Sequence, residues 1–308
     1  MINRVLIRSK VLQMVYAYYQ KENASLSECE KEFIKSLEKS YELYHYLLLL
    51  MSDITYYAER RIDAGRNKYL PTEEEKNPNT RFIDNRFVAQ LRENTALSHY
   101  VNDHCLSWDQ HEQLIKLLYE QISQSPAYLE YMQAESCSYE DDQEAWRKIF
   151  KQTIANSCEL AEALEESCIY WNDDLDIVIT FVVKTIKQFK EENGAEQPLL
   201  PMFKDKSDKE FALRLLRSTI EHGQEYREMI MASVKNWEMD RLAMMDLLIL
   251  QIAVAEILNI DEVPLNVSFN EYIDLAKVFS TEKSGTFING TLDNLVQQLK
   301  KENKLFKN

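Results

Sequence analysis

The stretch that decides the fold is DEVPLNVSFNEYIDLAKVFSTEKSGTFINGTLDNL, from Asp261 to Leu295. Pro264 ends any preceding helix, because proline cannot continue a helix interior. Ser268 and Glu271 have the spacing of a capping box, which predicts that a helix begins there. A polar break follows at residues 280–285. Apolar residues recur at helical spacing before the break and predict one buried face: Tyr272, Leu275, Ala276 and Phe279.

A last helix follows the polar break and is opened by Phe287 and Ile288. Its apolar face continues to Leu299 at helical spacing. The stretch therefore predicts helix, exposed loop, helix. Lys283, Thr286 and Phe287 are expected around the loop.

Two ungapped runs of unlike residues in this stretch resemble the C-terminal signature of the NusB family: VPLNVSFNEYIDLAKVF at 263–279 and SGTFINGTLD at 284–293. Members of that family are bacterial transcription antitermination factors, helical proteins that bind RNA. The resemblance implies an all-α fold and binding to boxA-type single-stranded RNA of ribosomal RNA transcripts. It also implies two protein partners, the ribosomal protein NusE and the RNA polymerase antitermination complex.

The composition independently favours an all-α protein. Only 5 glycines and 6 prolines occur in 308 residues, which leaves little material for the turns of a sheet. The 5 cysteines are scattered without a Cys-x-x-Cys pair, a pattern typical of reduced thiols in the cytoplasm. The N-terminus lacks a signal-peptide pattern, and its apolar runs are too short to span a membrane. We expect a soluble cytoplasmic protein.

The formal net charge of −15 opposes broad electrostatic capture of a nucleic acid. The two chain ends are nevertheless basic, since residues 1–20 contain three basic residues and no acid. Any RNA contact is therefore expected to be local, where the chain ends and the Lys283 loop meet. Alternatively, the basic ends are only solvated tails.

Three regions are expected along the chain. Residues 1–65 supply the N-terminal helices of a NusB-like helical bundle, and residues 208–308 supply its C-terminal helices. Residues 81–190 form a large helical insertion, since NusB chains are ordinarily much shorter. Polar, proline-containing linkers flank the insertion at 66–80 and 191–207.

Residues 2–20 are predicted to form an amphipathic helix. Arg8, Gln13 and Tyr16 resemble the first NusB helix, whose arginine-rich start contacts RNA and whose tyrosine lies near the protein partner. Several family arginines are absent here, where Val5, Leu6 and Ile7 stand instead. Arg4 and Lys10 supply further charge. Tyr16 alternatively packs in the core.

The aromatic run at residues 40–63 predicts a helix that is apolar on most sides and buried centrally. Its tyrosines could stack on bases, but use in a core or interface is the better interpretation. His45 in this run has no Cys, Asp or Glu at metal spacing, so we expect it to pack and not to bind a metal.

An internal repeat at an offset of 66 residues is a further hypothesis. Asp142, Trp171 and Asp174, among other residues, match Asp208, Trp237 and Asp240. In this hypothesis, part of the insertion is a degenerate copy of the C-terminal helices without the Asp261–Leu295 stretch. Alternatively, two amphipathic helices share a period by chance.

The C-terminal region also resembles NusB through Trp237, Asp240, Arg241 and the run ILQIAVAEIL at 249–258. Asp240 is the expected N-cap of this helix. Asp246 matches an acidic family position that touches NusE, so the resemblance implies a partner-facing carboxylate. An exposed carboxylate without a partner is the alternative.

The sequence has no phosphate-binding glycine motif and no recognisable nucleophile or metal-ligand spacing. We therefore expect no enzyme, no cofactor and no metal. The candidate RNA-binding residues are Arg4, Arg8, Lys10, Gln13, Lys283, Ser284, Thr286 and Phe287, and the candidate partner-binding residues are Tyr16 and Asp246. The rival hypothesis is a helical protein–protein adaptor in transcription or ribosome assembly, with weak or no RNA binding.

Overall fold

The computed structural model describes residues 1–234, 242–305 and Lys307. Their regular secondary structure is helical, apart from one isolated β-bridge between Ile2 and Phe203. The predicted all-α fold is confirmed. The α-helices are α1 (Arg4–Gln20), α2 (Leu26–Arg66), α3 (Glu73–Lys76), α4 (Arg86–Glu93), α5 (Thr95–Asp103), α6 (Glu112–Gln124), α7 (Pro126–Gln133), α8 (Tyr139–Gln152), α9 (Cys158–Ser167), α10 (Leu175–Gln188), α11 (Lys206–Glu221), α12 (Gly223–Ser233), α13 (Met244–Asn259), α14 (Leu265–Phe279) and α15 (Ser284–Lys301).

The chain divides into two compact units. The terminal unit comprises Ile2–Glu38 and Phe203–Asn308, and the middle unit comprises Lys39–Met202 together with Met1. Helix α2 therefore contributes its first part to the terminal unit and its remainder to the middle unit. The expected boundary at residue 65 differs from this division, because the aromatic part of α2 packs within the middle unit. Trp237, Asp240 and Arg241 lie outside the described residues.

Helix α13 forms the centre of the terminal unit. Its residues from Leu248 to Ile257 are all buried, as expected of a helix that is apolar on every side. Helices α1, α11, α12, α14 and α15 pack around it. Gln251 is buried among them and donates to the Thr219 carbonyl and the Tyr19 hydroxyl, both at 2.8 Å. The buried amide thereby ties α13 to two of its neighbours.

The start of α14 differs from the prediction. The expected capping box of Ser268 and Glu271 is wrong, because α14 begins at Leu265 with Pro264 at the N-cap. Proline's fixed φ suits the start of a helix, so no side-chain cap is needed. The Ser268 hydroxyl is instead buried and donates to Glu256 Oε1 at 2.7 Å.

Helix α2 supplies the core of the middle unit. Tyr44, Leu47, Leu48 and Met51 are fully buried, as the aromatic run predicted. His45 is buried as well and stacks on the Tyr100 ring, with ring centroids 3.6 Å apart. Burial lowers the pKa of His45 to about 4, so the imidazole is neutral at pH 7. His45 is therefore a packed side chain.

Two helix boundaries of the middle unit depend on polar side chains close by in the sequence. Asn94 ends α4, and its side chain accepts from Leu97 N at 2.9 Å to start α5. In the expected linker at 66–80, Thr72 and Glu75 form a capping box that starts α3. Side chains that bond the backbone locally determine both boundaries.

Three helices of the middle unit, α8, α9 and α10, have counterparts in α11, α12 and α13 of the terminal unit. At the offset of 66 residues the first positions of α8 and α9 agree with those of α11 and α12 to within one residue, and α10 agrees with α13 to within three. Buried positions agree as well. They are Ile149, Phe150, Leu160 and Leu164, and their counterparts Leu215, Leu216, Tyr226 and Ile230.

The start of a further helix repeats in both units. In each unit an asparagine caps the helix, and the next residue is an arginine that pairs with an aspartate. The two aspartates lie 66 residues apart in the sequence. The two sets are Asn3, Arg4 and Asp208, and Asn85, Arg86 and Asp142. The hypothesis that the insertion is a degenerate copy of the C-terminal helices, without the Asp261–Leu295 stretch, stays a prediction that these agreements favour.

Candidate nucleic-acid interface

A groove opens along the first three turns of α15. Its lining residues recur at helical spacing and are joined by residues from outside the helix. They are Ser233, Glu282, Lys283, Thr286, Phe287, Gly290, Thr291 and Asn294. We call this the α15 groove. Its volume of about 560 Å³ lies in the range of small-molecule sites.

Lys283, Thr286 and Phe287, which the sequence places around the loop, line the α15 groove; Lys283 is the N-cap of α15, and the other two lie in its first turn. Lys283 and Thr286 are exposed, and Phe287 is half-buried. No carboxylate of the described residues lies within ion-pair distance of Lys283, so its charge is available to a ligand. An aromatic ring, a hydroxyl and a cation are therefore adjacent at one helix start.

Other lining residues were not singled out in the sequence. Gly290, Thr291 and Asn294 follow Thr286 and Phe287 at helical spacing, which is the signal that could have identified them. A Cβ atom at Gly290 would meet nothing within 4 Å, so the glycine leaves open space in the groove.

Ser284 and Asp246 lie beneath this surface. Ser284 is 2% exposed and begins α15, so the polar break is shorter than predicted and ends at Lys283. Asp246 is only 7% exposed and accepts hydrogen bonds from Ser280 at 2.7 Å and Ser284 at 3.1 Å. The expectations of an RNA-facing Ser284 and a partner-facing Asp246 are corrected accordingly. Asp246 holds the loop between α14 and α15 in place.

Replacing Asp246 with alanine is expected to lower the free energy of unfolding by about 1–3 kcal/mol. The substitution leaves two hydroxyls in a largely buried place without their carboxylate acceptor. Chemical denaturation followed by circular dichroism measures the loss. Asp274→Ala is the matched control, because Asp274 is exposed and pairs with Lys277 on the same helix. Equal losses in the two variants would contradict a structural role for Asp246.

Arg8 is a buried ion-pair partner. Its side chain is 3% exposed, and its Nε and Nη2 atoms donate to the two oxygens of Glu256 at 2.8 and 2.9 Å. The Nη1 atom donates to Glu271 at 3.1 Å. Lys10 is also fully buried. The expectation that Arg8 and Lys10 offer surface charge to RNA is therefore corrected.

The Arg8 cluster explains why two buried polar side chains stand in the NusB-like signature. Ser268 and Tyr272 donate to the same Glu256 carboxylate at 2.7 and 3.0 Å. Burial of the phenol, together with the charge of Glu256, raises the pKa of Tyr272 well above its usual value. Tyr272 therefore remains a donor to Glu256, and α1, α13 and α14 meet at one carboxylate.

The remaining candidates on α1 are partly accessible. Arg4 is about one-third exposed, pairs with Asp208 at 3.4 Å and lies over the Phe211 ring. Gln13 is half-buried. Tyr16 is 41% exposed, so it is not a core residue.

The end of α1 lies against the start of α13, near Tyr16. One turn beyond Tyr16 on α1, Gln20 contacts the sulfur of Met244 at 3.5 Å. Met244 is itself 43% exposed. An aromatic side chain and a methionine are therefore both accessible on this side of the terminal unit.

The described ranges, which omit residues 235–241, 306 and 308, offer no membrane-spanning or metal-binding alternative. They contain no helix long and apolar enough to cross a membrane. They also contain no group of three or more His, Cys, Asp or Glu side chains placed to hold a metal ion.

Comparisons with known proteins agree with the sequence resemblance. The NusB family model matches residues 177–297. The "Transcription antitermination protein NusB" of Salinibacter ruber is 38% identical over 132 residues, which cover 41% of this chain and 82% of the relative. The protein of the same name from Geobacter sulfurreducens is 41% identical over 112 residues, covering 34% of this chain and 81% of the relative. No solved structure matches.

The matches extend over most of each relative but less than half of this chain, since the middle unit makes this chain longer. High identity over four-fifths of the relatives' length decides the family. The chain belongs to the NusB family of transcription antitermination proteins.

Proposed function

We propose that this chain is a cytoplasmic antitermination factor that binds boxA-type single-stranded RNA of ribosomal RNA transcripts through the α15 groove. It does so together with NusE, and the complex helps RNA polymerase to pass terminators. The observation that carries the proposal is the adjacency of Phe287, Thr286 and the exposed Lys283 at one open groove. The NusB family is not catalytic, and the proposal assigns no reaction.

Each of these side chains suits single-stranded RNA. Splayed bases stack on aromatic rings, and cations hold the phosphates. Phe287 offers a ring face, Lys283 a phosphate contact and Thr286 a hydroxyl that donates or accepts. Asn294, two turns further along α15, adds an amide that can bond a base edge.

Because the net charge is −15, RNA is expected to contact only a small basic area of the protein. Arg4 on α1 is the accessible cation among the N-terminal candidates, and Gln13 can add a hydrogen bond. Arg8, Lys10 and Ser284 support the fold beneath. Because few cations participate, the salt dependence of binding is expected to be shallow.

For NusE, we propose the surface formed by Tyr16 and Met244. Both side chains are more than two-fifths exposed, and exposed aromatic and methionine side chains are enriched in protein interfaces. Asp246 acts indirectly, because it positions the loop that follows α14.

A second candidate function is a protein–protein adaptor with weak or no RNA binding. The burial of Arg8 and Lys10 favours it, since two predicted phosphate contacts are lost to the core. The two candidate functions predict different effects of NusE on RNA affinity. NusE strengthens RNA binding if the chain is an antitermination factor, and it leaves RNA affinity unchanged if the chain is an adaptor.

Replacing Lys283 with glutamate is expected to weaken RNA binding by about tenfold, because the change replaces a phosphate contact with a repelling charge. Fluorescence anisotropy with a boxA-like RNA, with and without purified NusE, measures the affinity. The slope of log affinity against log salt is expected to fall by about 0.7, the value for one phosphate contact on a single strand.

The matched control is Lys31→Glu, which makes the same charge change at an exposed lysine of α2 that does not line the groove. Equal effects of the two variants would overturn the proposed site. Absence of any gain in RNA affinity on adding NusE would favour the adaptor.

A further inference from the structure

A second groove lies wholly within the middle unit, between α2 and α6. Its volume is about 510 Å³. Charged and aromatic side chains supply most of its lining: Asp53, Tyr56, Tyr57, Arg60, Arg61, Trp108, Asp109, Glu112 and Lys116. We call it the α2–α6 groove. None of these residues belongs to the α15 groove.

The charges are separated along the groove. Asp53 lies near Asp109 at one end, and the Arg61 guanidinium lies 5.5 Å from the Tyr119 ring centroid further along. Helices α2 and α6 thus follow the groove in the same direction. Asp53 and Arg61 are eight residues apart on α2, or about 12 Å at the rise of an α-helix. One end is therefore acidic and the other basic.

Most of these charges have no ionic partner within the part of the chain that the structure describes. Among those residues, no ion pair involves Asp53, Asp109, Glu112, Arg60 or Arg61, and Lys116 pairs with Glu120 at 4.0 Å on the same helix. Burial, and then the neighbouring charge of Asp109, raise the pKa of Asp53 to about 6, although the nearby Arg92 guanidinium, which is paired with Glu59, lowers it in part. A partly desolvated carboxylate beside another carboxylate would be stabilised by an incoming cation.

Aromatic surface separates the two charged ends. Tyr56 is 55% exposed and Tyr57 is half-buried. Trp108 is buried at the floor, where its indole N–H donates to the Tyr46 carbonyl at 3.0 Å. An exposed tyrosine in the same groove as a buried tryptophan is the kind of surface that anchors interfaces.

We propose that the α2–α6 groove is a self-association surface through which two copies of this chain pair about a two-fold axis. A two-fold interface requires a patch that is complementary to itself. Here the acidic end of one copy faces the basic end of the other, and the reverse holds at the opposite end. The exposed Tyr56 side chains pack near the axis.

Other occupants fit less well. A purely basic or purely acidic partner would satisfy one end of the groove and repel the other. A second copy satisfies both ends at once, because the symmetry brings each charge opposite its complement. The proposal is independent of the proposed RNA site.

The test uses the full chain in sedimentation equilibrium at low salt. The parent is expected to move from 36.4 kDa toward twice that mass as its concentration rises into the upper micromolar range. Arg60→Glu and Asp109→Arg, each alone, are expected to weaken the dimer by at least about tenfold, because each places like charges opposite one another. Lys151→Glu on α8, outside the groove, is the control.

Mixing the two variants provides the decisive measurement. In a mixed pair, the glutamate introduced at position 60 of one chain faces the arginine introduced at position 109 of the other. The unchanged Asp109 and Arg60 face each other at the opposite end, so both ends regain opposite signs. An equimolar mixture is therefore expected to recover the parent's dimerisation. A parent that stays monomeric, or a mixture that fails to recover while circular dichroism shows both variants folded, overturns the proposal.

RNA binding distinguishes this proposal from the proposed function. Both charge variants are expected to keep the parent's affinity for boxA-like RNA, since neither residue lines the α15 groove. A parent dimer that neither variant weakens would place self-association on another face and overturn the assignment.

Discussion

Replacing Arg8 with alanine is expected to lower the free energy of unfolding of the terminal unit by about 3–5 kcal/mol. This is the usual loss when one partner of a buried ion pair is removed. The substitution leaves Glu256, which is fully buried, without the guanidinium that bonds both of its oxygens. Ser268 and Tyr272 alone cannot compensate a buried negative charge.

Burial by itself lowers the pKa of Arg8, but the hydrogen bonds and charge of Glu256, with Tyr272 and Glu271, raise it above its usual value. Arg8 is therefore charged at every pH at which the protein folds. A change of pH therefore cannot break the ion pair by deprotonating Arg8, and mutation is the appropriate test.

Thermal and urea denaturation of Arg8→Ala and Arg8→Met measure the effect. Arg4→Ala is the control, because Arg4 is on the same helix and makes a longer, partly exposed pair with Asp208. That control is expected to lose less than about 1 kcal/mol. The double variant Arg8→Met/Glu256→Met should recover part of the loss, since it removes both buried charges. A stable Arg8→Ala variant with impaired RNA binding would instead make Arg8 a surface contact.

Replacing Phe287 with alanine is expected to weaken binding to boxA-like RNA by about tenfold or more. Stacking of one base on an aromatic side chain contributes about 1–3 kcal/mol, which corresponds to roughly 5- to 150-fold in affinity. Phe287 is half-buried in the α15 groove, so its ring both packs against the protein and faces the opening.

Two further substitutions separate stacking from packing. Phe287→Leu keeps an apolar side chain but removes the ring, so it should lose nearly as much RNA affinity as Phe287→Ala. Phe287→Tyr keeps the ring and should retain the parent's affinity. Anisotropy titrations and melting curves of all three variants make the comparison. If Phe287→Leu binds the RNA as tightly as Phe287→Tyr does, stacking on the ring is not the source of the affinity.

The local pattern predicted much of the fold because helices depend mainly on nearby residues. The centrally buried α2 and α13 follow from helices that are apolar on most sides. Lys283, Thr286 and Phe287 were also recognisable, since a polar break between two amphipathic helices presents its residues to solvent. The placement of Tyr16 at the surface is consistent with the partner interpretation and excludes core packing.

Predictions about charged side chains on apolar helices were less accurate. Arg8 and Lys10 were expected to supply surface charge at the start of α1, yet both are buried. The acceptors of Arg8 lie 248 and 263 residues away, beyond any local window. Ser268 was expected to cap a helix and Asp246 to face a partner. Both instead hydrogen-bond to residues of other segments, which a local sequence window does not include.

The sequence by itself determined the all-α class, the helix-loop-helix of the Asp261–Leu295 stretch and its NusB-like signature. Helical periodicity, proline and glycine act over a few residues, so they can be recognised without a structure. Only the tertiary structure decided which charges remain for a ligand. A carboxylate such as Glu256 is buried by helices from distant parts of the chain, and its need for compensation draws Arg8 inward. Lys283 has no such acceptor among the described residues and lies at the surface.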